Sequence, residues 1–215
     1  MTKPSTTALR RALIIPALNE EASIALAVEE VSSELFEQVL VVDNGSSDAT
    51  AVRAAQAGAE VVRESRRGYG QACWRGIQSL PKEIDTIVFM DGDLSDDPAD
   101  AVPLVETLEE GSYDLVIGSR VLGRADAGSL EPWQRFGNRL ATGLIRLFWG
   151  VRFTDLGPFR AVRVKALERM DMQDRGFGWT VEMQAKAAQM GLRTCEVPVR
   201  YRRRRYGRSK ISGNL

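Results

Sequence analysis

Histidine is absent from all 215 residues of the chain. No imidazole can therefore serve as base or metal ligand, which excludes a Ser-His-Asp triad and every His-built metal centre. Cysteine is nearly as scarce. Cys73 and Cys195 lie far apart and form no Cys-x-x-Cys pair, which argues against a disulfide framework or structural zinc and fits a reducing cytoplasm. Neither sign of charge is in excess, since 29 Lys and Arg balance 29 Asp and Glu. No overall field selects nucleic acid or membrane as partner, and electrostatic specificity has to be local. Long hydrophobic runs are missing too: Met1 to Arg11 lacks the apolar core of a signal peptide, and no run reaches the length of a spanning helix. The expectation is a cytoplasmic protein able to touch the membrane face peripherally, built as one domain over residues 1–215.

What is present is alternation of strand and helix. Ala12 to Ile15 reads as a short strand ended by Pro16, followed by a helix with Ile24, Val28, Val31 and Leu35 on one face. Val39 to Val42 is a second strand, and the serines of the turn Asp43-Asn44-Gly45-Ser46-Ser47 are expected to cap the next helix. A short strand at Val61-Val62 leads into the loop Arg66-Arg67-Gly68-Tyr69-Gly70. Thr86 to Met90 reads as a buried strand, Asp97-Pro98 as the start of a further helix, and Leu115 to Gly118 as another strand. The pattern predicts an α/β fold, a mostly parallel sheet with helices on both faces. Trp133 to Trp149 reads as an amphipathic helix whose apolar stripe is expected to pack on the core, with a lipid surface as the alternative. A helix over Val181 to Met190, a strand over Cys195 to Val199 and a strongly basic stretch from Arg200 onward follow.

The most telling residues are Asp91-Gly92-Asp93, two carboxylates directly after the Thr86 to Met90 strand. Ligands of α/β proteins gather at such strand ends, and the alternative reading of the triplet is a solvated turn, in which Asp and Gly are common. Two anions so close repel unless a cation sits between them, and a hard divalent ion, Mg²⁺ or Mn²⁺, suits oxygen ligands while keeping positions open for phosphates.

Taken together, several segments resemble family 2 glycosyltransferases of the GT-A fold, in the polyprenyl-phosphate (dolichyl-phosphate) hexosyltransferase branch. They are Ile15-Pro16-Ala17-Leu18-Asn19-Glu20-Glu21, Val41-Val42-Asp43-Asn44-Gly45-Ser46-Ser47-Asp48, Gly68-Tyr69-Gly70, Met90-Asp91-Gly92-Asp93-Leu94-Ser95-Asp96-Asp97-Pro98, Ile117-Gly118-Ser119-Arg120, Asp155-Leu156-Gly157-Pro158-Phe159-Arg160, Trp179-Thr180-Val181-Glu182-Met183 and Gly207-Arg208-Ser209-Lys210. They span nearly the whole chain in the family's order.

The resemblance implies metal-assisted, inverting transfer of a hexosyl group from a UDP- or GDP-sugar to a polyprenyl phosphate or related glycan. It puts Pro16, Ala17, Asn19 and Glu20 against base and ribose, Asp43 on the base, and Gly68 and Gly70 at the donor. Asp91 and Asp93 become the metal ligands, with Ser95 where some members carry a further ligand. Arg120, Arg204, Ser209 and Lys210 fall on positions that hold donor or acceptor phosphates, which suits guanidinium forks. Asp155 and Glu182 are the carboxylates available as a base, and Asp155 could instead orient an arginine. Arg135 and Asn138 lie near acceptor-phosphate positions.

The chain departs from the pattern at Leu156-Gly157-Pro158, which stands where many members have a Gly-Phe pair. A membrane partner protein would help if the acceptor is a lipid. Other readings make different demands. A sugar-phosphate nucleotidyltransferase needs a glycine-rich basic loop after the first strand, and a dinucleotide oxidoreductase needs Gly-x-Gly-x-x-Gly there; this chain has neither. A non-catalytic nucleotide-sugar-binding module would bind donor without turnover.

Overall fold

The apolar runs of the first half become the centre of one seven-stranded sheet, in the order β3-β2-β1-β4-β6-β5-β7. The computed structural model describes residues 9–126, 128–129 and 132–206. Strand β1 (Arg11–Ala17) pairs in parallel with β2 (Gln38–Asp43) on one side and β4 (Thr86–Phe89) on the other; β2 also pairs with β3 (Glu60–Arg63). Ile14, Leu40, Val42 and Ile87 point into one apolar layer, and Leu13, Ile15, Val41 and Val88 into the other. Burial on both faces is why these strands read as unbroken apolar runs. The first layer is closed by α3 (Tyr69–Ser79), α6 (Val164–Met170) and α7 (Trp179–Gln189), through Cys73, Leu167 and Met183. The second is closed by α1 (Ile24–Glu29), α2 (Thr50–Gln56) and α4 (Ala101–Glu110), through Ile24, Ala54 and Leu104.

Strand β6 (Arg160–Arg163) is the one reversed member. It lies antiparallel between β4 and β5 (Leu115–Ala125), and β7 (Thr194–Tyr201) runs parallel to β5 at the edge. Two reversals cancel, so β5 and β7 point the same way as β1 to β4. The carboxyl ends of those six strands and the amino end of β6 therefore share one rim.

The expected parallel sheet with helices on both faces is borne out, with corrections in detail. Pro16 does not end β1, which continues to Ala17. The β4 side of β1 stops at Ile14, whose carbonyl accepts Met90 N–H, so the donor that Pro16 lacks is not needed there. Helix α1 stops at Glu29, leaving Val31 and Leu35 in the following turn. The serines do not cap α2: Asp48 Oδ1 takes Thr50 N–H at 3.0 Å, and Ser46 and Ser47 bond to Asn19 instead. Asp97 does act as expected, accepting Ala99 N–H into a 3-10 turn (Pro98–Asp100) that leads into α4. Helix α5 (Pro132–Trp149) forms, but its apolar stripe does not pack on the core: only Thr142 and Ile145 of its side chains are buried. Amphipathic periodicity shows that a helix has two unlike faces, not which of them meets protein.

Candidate active site

The strand order changes direction between β1 and β4, the crevice where open α/β sheets receive ligands. Asp91 and Asp93 sit at that point. Gly92 between them lies so close to the core that a Cβ there would come within 2.9 Å of Ile24 Cδ1 and 3.2 Å of Ile15 Cγ2. Glycine is what lets the acidic turn lie flat on β1 and α1. Leu94 follows in the left-handed region at φ 64°, and the turn closes when Ser95 N–H donates to Asp93 Oδ1 at 2.9 Å. Ser95 is itself buried. Asp96, also buried, accepts Asp91 N–H through Oδ2 at 3.2 Å, while its Oδ1 has no hydrogen-bond partner among the described residues.

Three carboxylates are thus crowded into one low-dielectric turn. Burial, then the charge of Asp93, pushes the Asp91 carboxyl up to about 7, against the pull of Arg204, Arg120 and the Tyr69 hydroxyl. Burial and the charges of Asp91 and Asp93 push Asp96 well above its ordinary range as well. The turn holds more negative charge than its surroundings neutralise.

The ends of β1, β2 and β3 form the neighbouring wall. Ala17 is buried beside Pro16, and its carbonyl accepts Asn44 N–H at 2.8 Å. Asn19 is left-handed, φ 51°, and its Oδ1 accepts Ser47 N–H at 2.8 Å. Glu20 is buried and donates its N–H to Thr50 Oγ1 at 2.8 Å. Asp43, buried at the tip of β2, accepts Ser46 N–H at 3.0 Å. Asn44 locks the next loop by accepting Gly68 N–H at 2.8 Å and donating to the carbonyls of Glu64 and Arg66. The close approach at Gly68 and Gly70 is made by protein backbone: Gly70 N–H donates to Gly176 O at 2.9 Å, and a Cβ on Gly70 would stand 2.3 Å from Asp174 O.

Arginines supply the opposite wall. The backbone after β7 crosses the acidic turn, with Arg202 N–H donating to Ser95 O at 2.8 Å. Arg204 then reaches Asp93 at 2.5 Å and Glu20 at 3.2 Å, while Arg200 and Arg202 pair with Asp97 at 3.1 and 2.6 Å. The anions that hold this basic stretch together include the chain's own carboxylates. Arg120, at the bend of β5, lies 5.0 Å from the centre of the Tyr201 ring and forks onto Asp155, Nε to Oδ2 and Nη2 to Oδ1, both at 2.7 Å. Both oxygens of Asp155 also accept backbone N–H groups, from Arg120 and Leu156. Burial raises its carboxyl, but the hydrogen bonds and charge of Arg120 outweigh that and hold it below its ordinary value.

Glu182 lies apart from this network. Its carboxylate accepts the N–H groups of Gln173 and Asp174 at 2.8 and 2.7 Å and pairs with Lys186 at 2.9 Å, so it ties the 171–178 loop to α7. Ser209 and Lys210 lie outside the described residues. Arg135 is exposed on α5, whereas Asn138 donates to Thr154 O at 3.0 Å and accepts Leu156 N–H at 2.7 Å, bracketing Asp155.

The site's supporting residues escape a sequence reading. Glu196, on β7, accepts the N–H groups of Thr154 and Asp155 at 2.9 and 3.0 Å. Arg160 is fully buried beneath the Asp155 turn, donating to the carbonyls of Thr180 and Gly157 and to Gln184 Oε1. Burial lowers its guanidinium to about 10, so it stays charged at neutral pH. The one signal that could have found it is its place at the end of the Asp155-Leu156-Gly157-Pro158-Phe159-Arg160 segment.

Comparison with known proteins agrees with this geometry. The family described as Glycosyl transferase family 2 matches residues 12–171. An uncharacterized glycosyltransferase of Mycobacterium bovis is 36% identical over 204 residues, covering 94% of this chain and 90% of its own. An undecaprenyl-phosphate mannosyltransferase of Micrococcus luteus is 32% identical, covering 96% and 89%. The crystal structure of glucosyl-3-phosphoglycerate synthase from Mycobacterium tuberculosis with phosphoglyceric acid superposes with a TM-score of 0.77 at 24% identity, covering 95% of this chain and 74% of that one, a likeness of fold. A second structure of that enzyme, with Mn²⁺, UDP and glucosyl-3-phosphoglycerate, gives a TM-score of 0.75 at 22% identity over 95% and 74%. With the GT-A sheet, the acidic turn at its switch point and a family match over most of its length, the chain belongs to glycosyltransferase family 2 and is a glycosyltransferase.

Proposed function

We propose that the protein transfers a hexosyl group from a nucleoside diphosphate sugar to a lipid phosphate at the membrane face, in one displacement that inverts the anomeric centre. The observation that carries this is the crowded acidic turn at the β1/β4 crevice, facing Arg120 and Arg204. In this reading Asn19, Glu20 and Asp43 border the nucleoside, and the arginines receive phosphate.

The residues fit a divalent cation. Asp91 and Asp93 offer hard oxygen ligands, and the buried Oδ1 of Asp96 beside them has no hydrogen-bond partner among the described residues. Among the described residues no group of three or more acids, cysteines or histidines is arranged to hold a metal, so the remaining positions of a Mg²⁺ or Mn²⁺ held by the two aspartates would have to come from water and substrate phosphate. Bound there, the ion would offset the charge that develops on the departing nucleoside diphosphate. The solved Mn²⁺ and UDP complex of glucosyl-3-phosphoglycerate synthase, and the undecaprenyl-phosphate mannosyltransferase among the relatives, support the donor and acceptor classes.

Which carboxylates are engaged also supports a phosphate acceptor. Both oxygens of Asp155 are taken by Arg120 and backbone, and Glu182 is held by Lys186 and its own loop. Neither is poised to deprotonate a sugar hydroxyl. A lipid phosphate is already anionic at neutral pH and attacks without a base. Product analysis with UDP-glucose, GDP-mannose and a short-chain, water-soluble polyprenyl phosphate tests the proposal. The wild-type chain should glycosylate the phosphate with one of these donors, and Asp93→Asn should lower the rate about a hundredfold or more. Donor binding without product would identify a binding module instead.

A further inference from the structure

Helix α5 carries a feature that sugar transfer does not explain. Phe136 is 70% exposed, Leu147 75%, Phe148 68% and Leu140 53%, with Trp133 and Leu144 beside them. At about 100° per residue these side chains fill one arc of roughly 120°, turned away from the packed Asn138, Thr142 and Ile145. Arg135, Arg139 and Arg146 run in a row along the border between the two faces, and Pro132–Trp149 contains no acid. No helix among the described residues is long and apolar enough to cross a membrane.

We infer that the outward face of α5 docks flat onto an anionic lipid surface. Such a surface meets both halves of the pattern: the apolar arc enters the boundary between headgroups and acyl chains, and the arginines meet lipid phosphates. Trp133, near the start of the helix and on the outward arc, suits that boundary because one part of the indole is apolar and the other donates a hydrogen bond. A second copy of the same face is a poorer partner, since it would ring the apolar seam with arginines and no counter-charge.

The helix is also wired to the site. Asn138 brackets Asp155 through Thr154 O and Leu156 N, and Asp155 holds Arg120. The lipid-phosphate reading of the acceptor gives the docking its purpose, and the inference rests on it to that extent.

Co-sedimentation of the full chain with vesicles tests the surface. The wild type should pellet with phosphatidylglycerol-containing vesicles at least tenfold more than with pure phosphatidylcholine, and added salt should weaken that binding. Phe136→Ser with Leu147→Ser, and separately Arg139→Gln with Arg146→Gln, should each reduce pelleting about tenfold. These positions are exposed, so melting temperature should hold, and both variants should keep the wild-type rate on the water-soluble acceptor. Wild-type protein that stays in the supernatant, or an apolar double variant that pellets as before, overturns the docking. A dimer in gel filtration that Phe136→Ser with Leu147→Ser makes monomeric overturns it too, in favour of a contact between copies. Failure of the wild type to glycosylate the soluble acceptor would overturn the proposed function instead, whatever the vesicles show.

Discussion

At the scale of single residues, Asp155 is a carboxylate near the cleft whose hydrogen-bond partners are all donors. Its oxygens face a guanidinium fork and two N–H groups, all of which favour the ionised form. The folded state therefore binds this proton less tightly than the unfolded chain. The stability it contributes is present above the ordinary carboxylate value of 3.8 and is lost as pH falls through the lower folded value. Across neutral pH Asp155 does not titrate. Asp155→Asn should accordingly lower kcat/KM without reshaping the pH–rate profile, whereas loss of a general base would remove an acid limb. Because the substitution strands a mostly buried Arg120, chemical denaturation should also report a loss of about 3 kcal/mol. A variant that keeps full stability while changing the pH profile would restore Asp155 as a base.

At the scale of elements, α3 and the loop before α7 are joined by backbone hydrogen bonds at the start of the helix and by the Arg175 guanidinium 4.5 Å from the centre of the Trp74 ring. The amide groups of Gly70 and Gln71 donate to the carbonyls of Gly176 and Arg175 at 2.9 and 2.8 Å. Gly70→Ala would drive a methyl group against Asp174 O, and overpacking of this kind costs about 1–3 kcal/mol. Gly143→Ala, in α5, meets nothing within 4 Å and should instead stabilise by about 0.5–1 kcal/mol. Opposite shifts in melting temperature would check the pair.

These elements also show what the chain discloses before it folds. Strands β1, β2 and β4 are legible because burial on both faces leaves an unbroken apolar run, and the acidic turn is legible because its two aspartates follow such a run directly. Strand β6 is hidden: Arg160-Ala161-Val162-Arg163 is short and bounded by charge, and only tertiary structure supplies the carbonyls that accommodate Arg160. Glu196 is hidden for a related reason, since its value to the site lies in two amide groups some forty positions away. The glycines at 68 and 70 are legible as special, but the backbone they admit is not.

At the scale of the whole molecule, a balanced net charge conceals a strong separation. Acids gather in the Asp91 to Asp100 segment, and Arg200, Arg202 and Arg204 fold over them. Donor binding should act on this arrangement as a unit. UDP or GDP together with Mn²⁺ should raise the melting temperature, by linkage of binding to folding. Either component alone should raise it far less, because the nucleotide's diphosphate and the acidic turn repel unless a cation lies between them. Thermal-shift measurements read this directly, and an equal shift with nucleotide alone would count against a metal-bridged diphosphate. The Glu20–Arg204 ion pair joins positions 184 apart in the sequence. During synthesis, then, the pairing of Glu20 and Asp93 with this arginine has to wait until Arg204 has left the ribosome, long after β1 and β2 can pair. A nascent chain halted near Val199 would expose Asp93 and Asp97 stripped of their arginines.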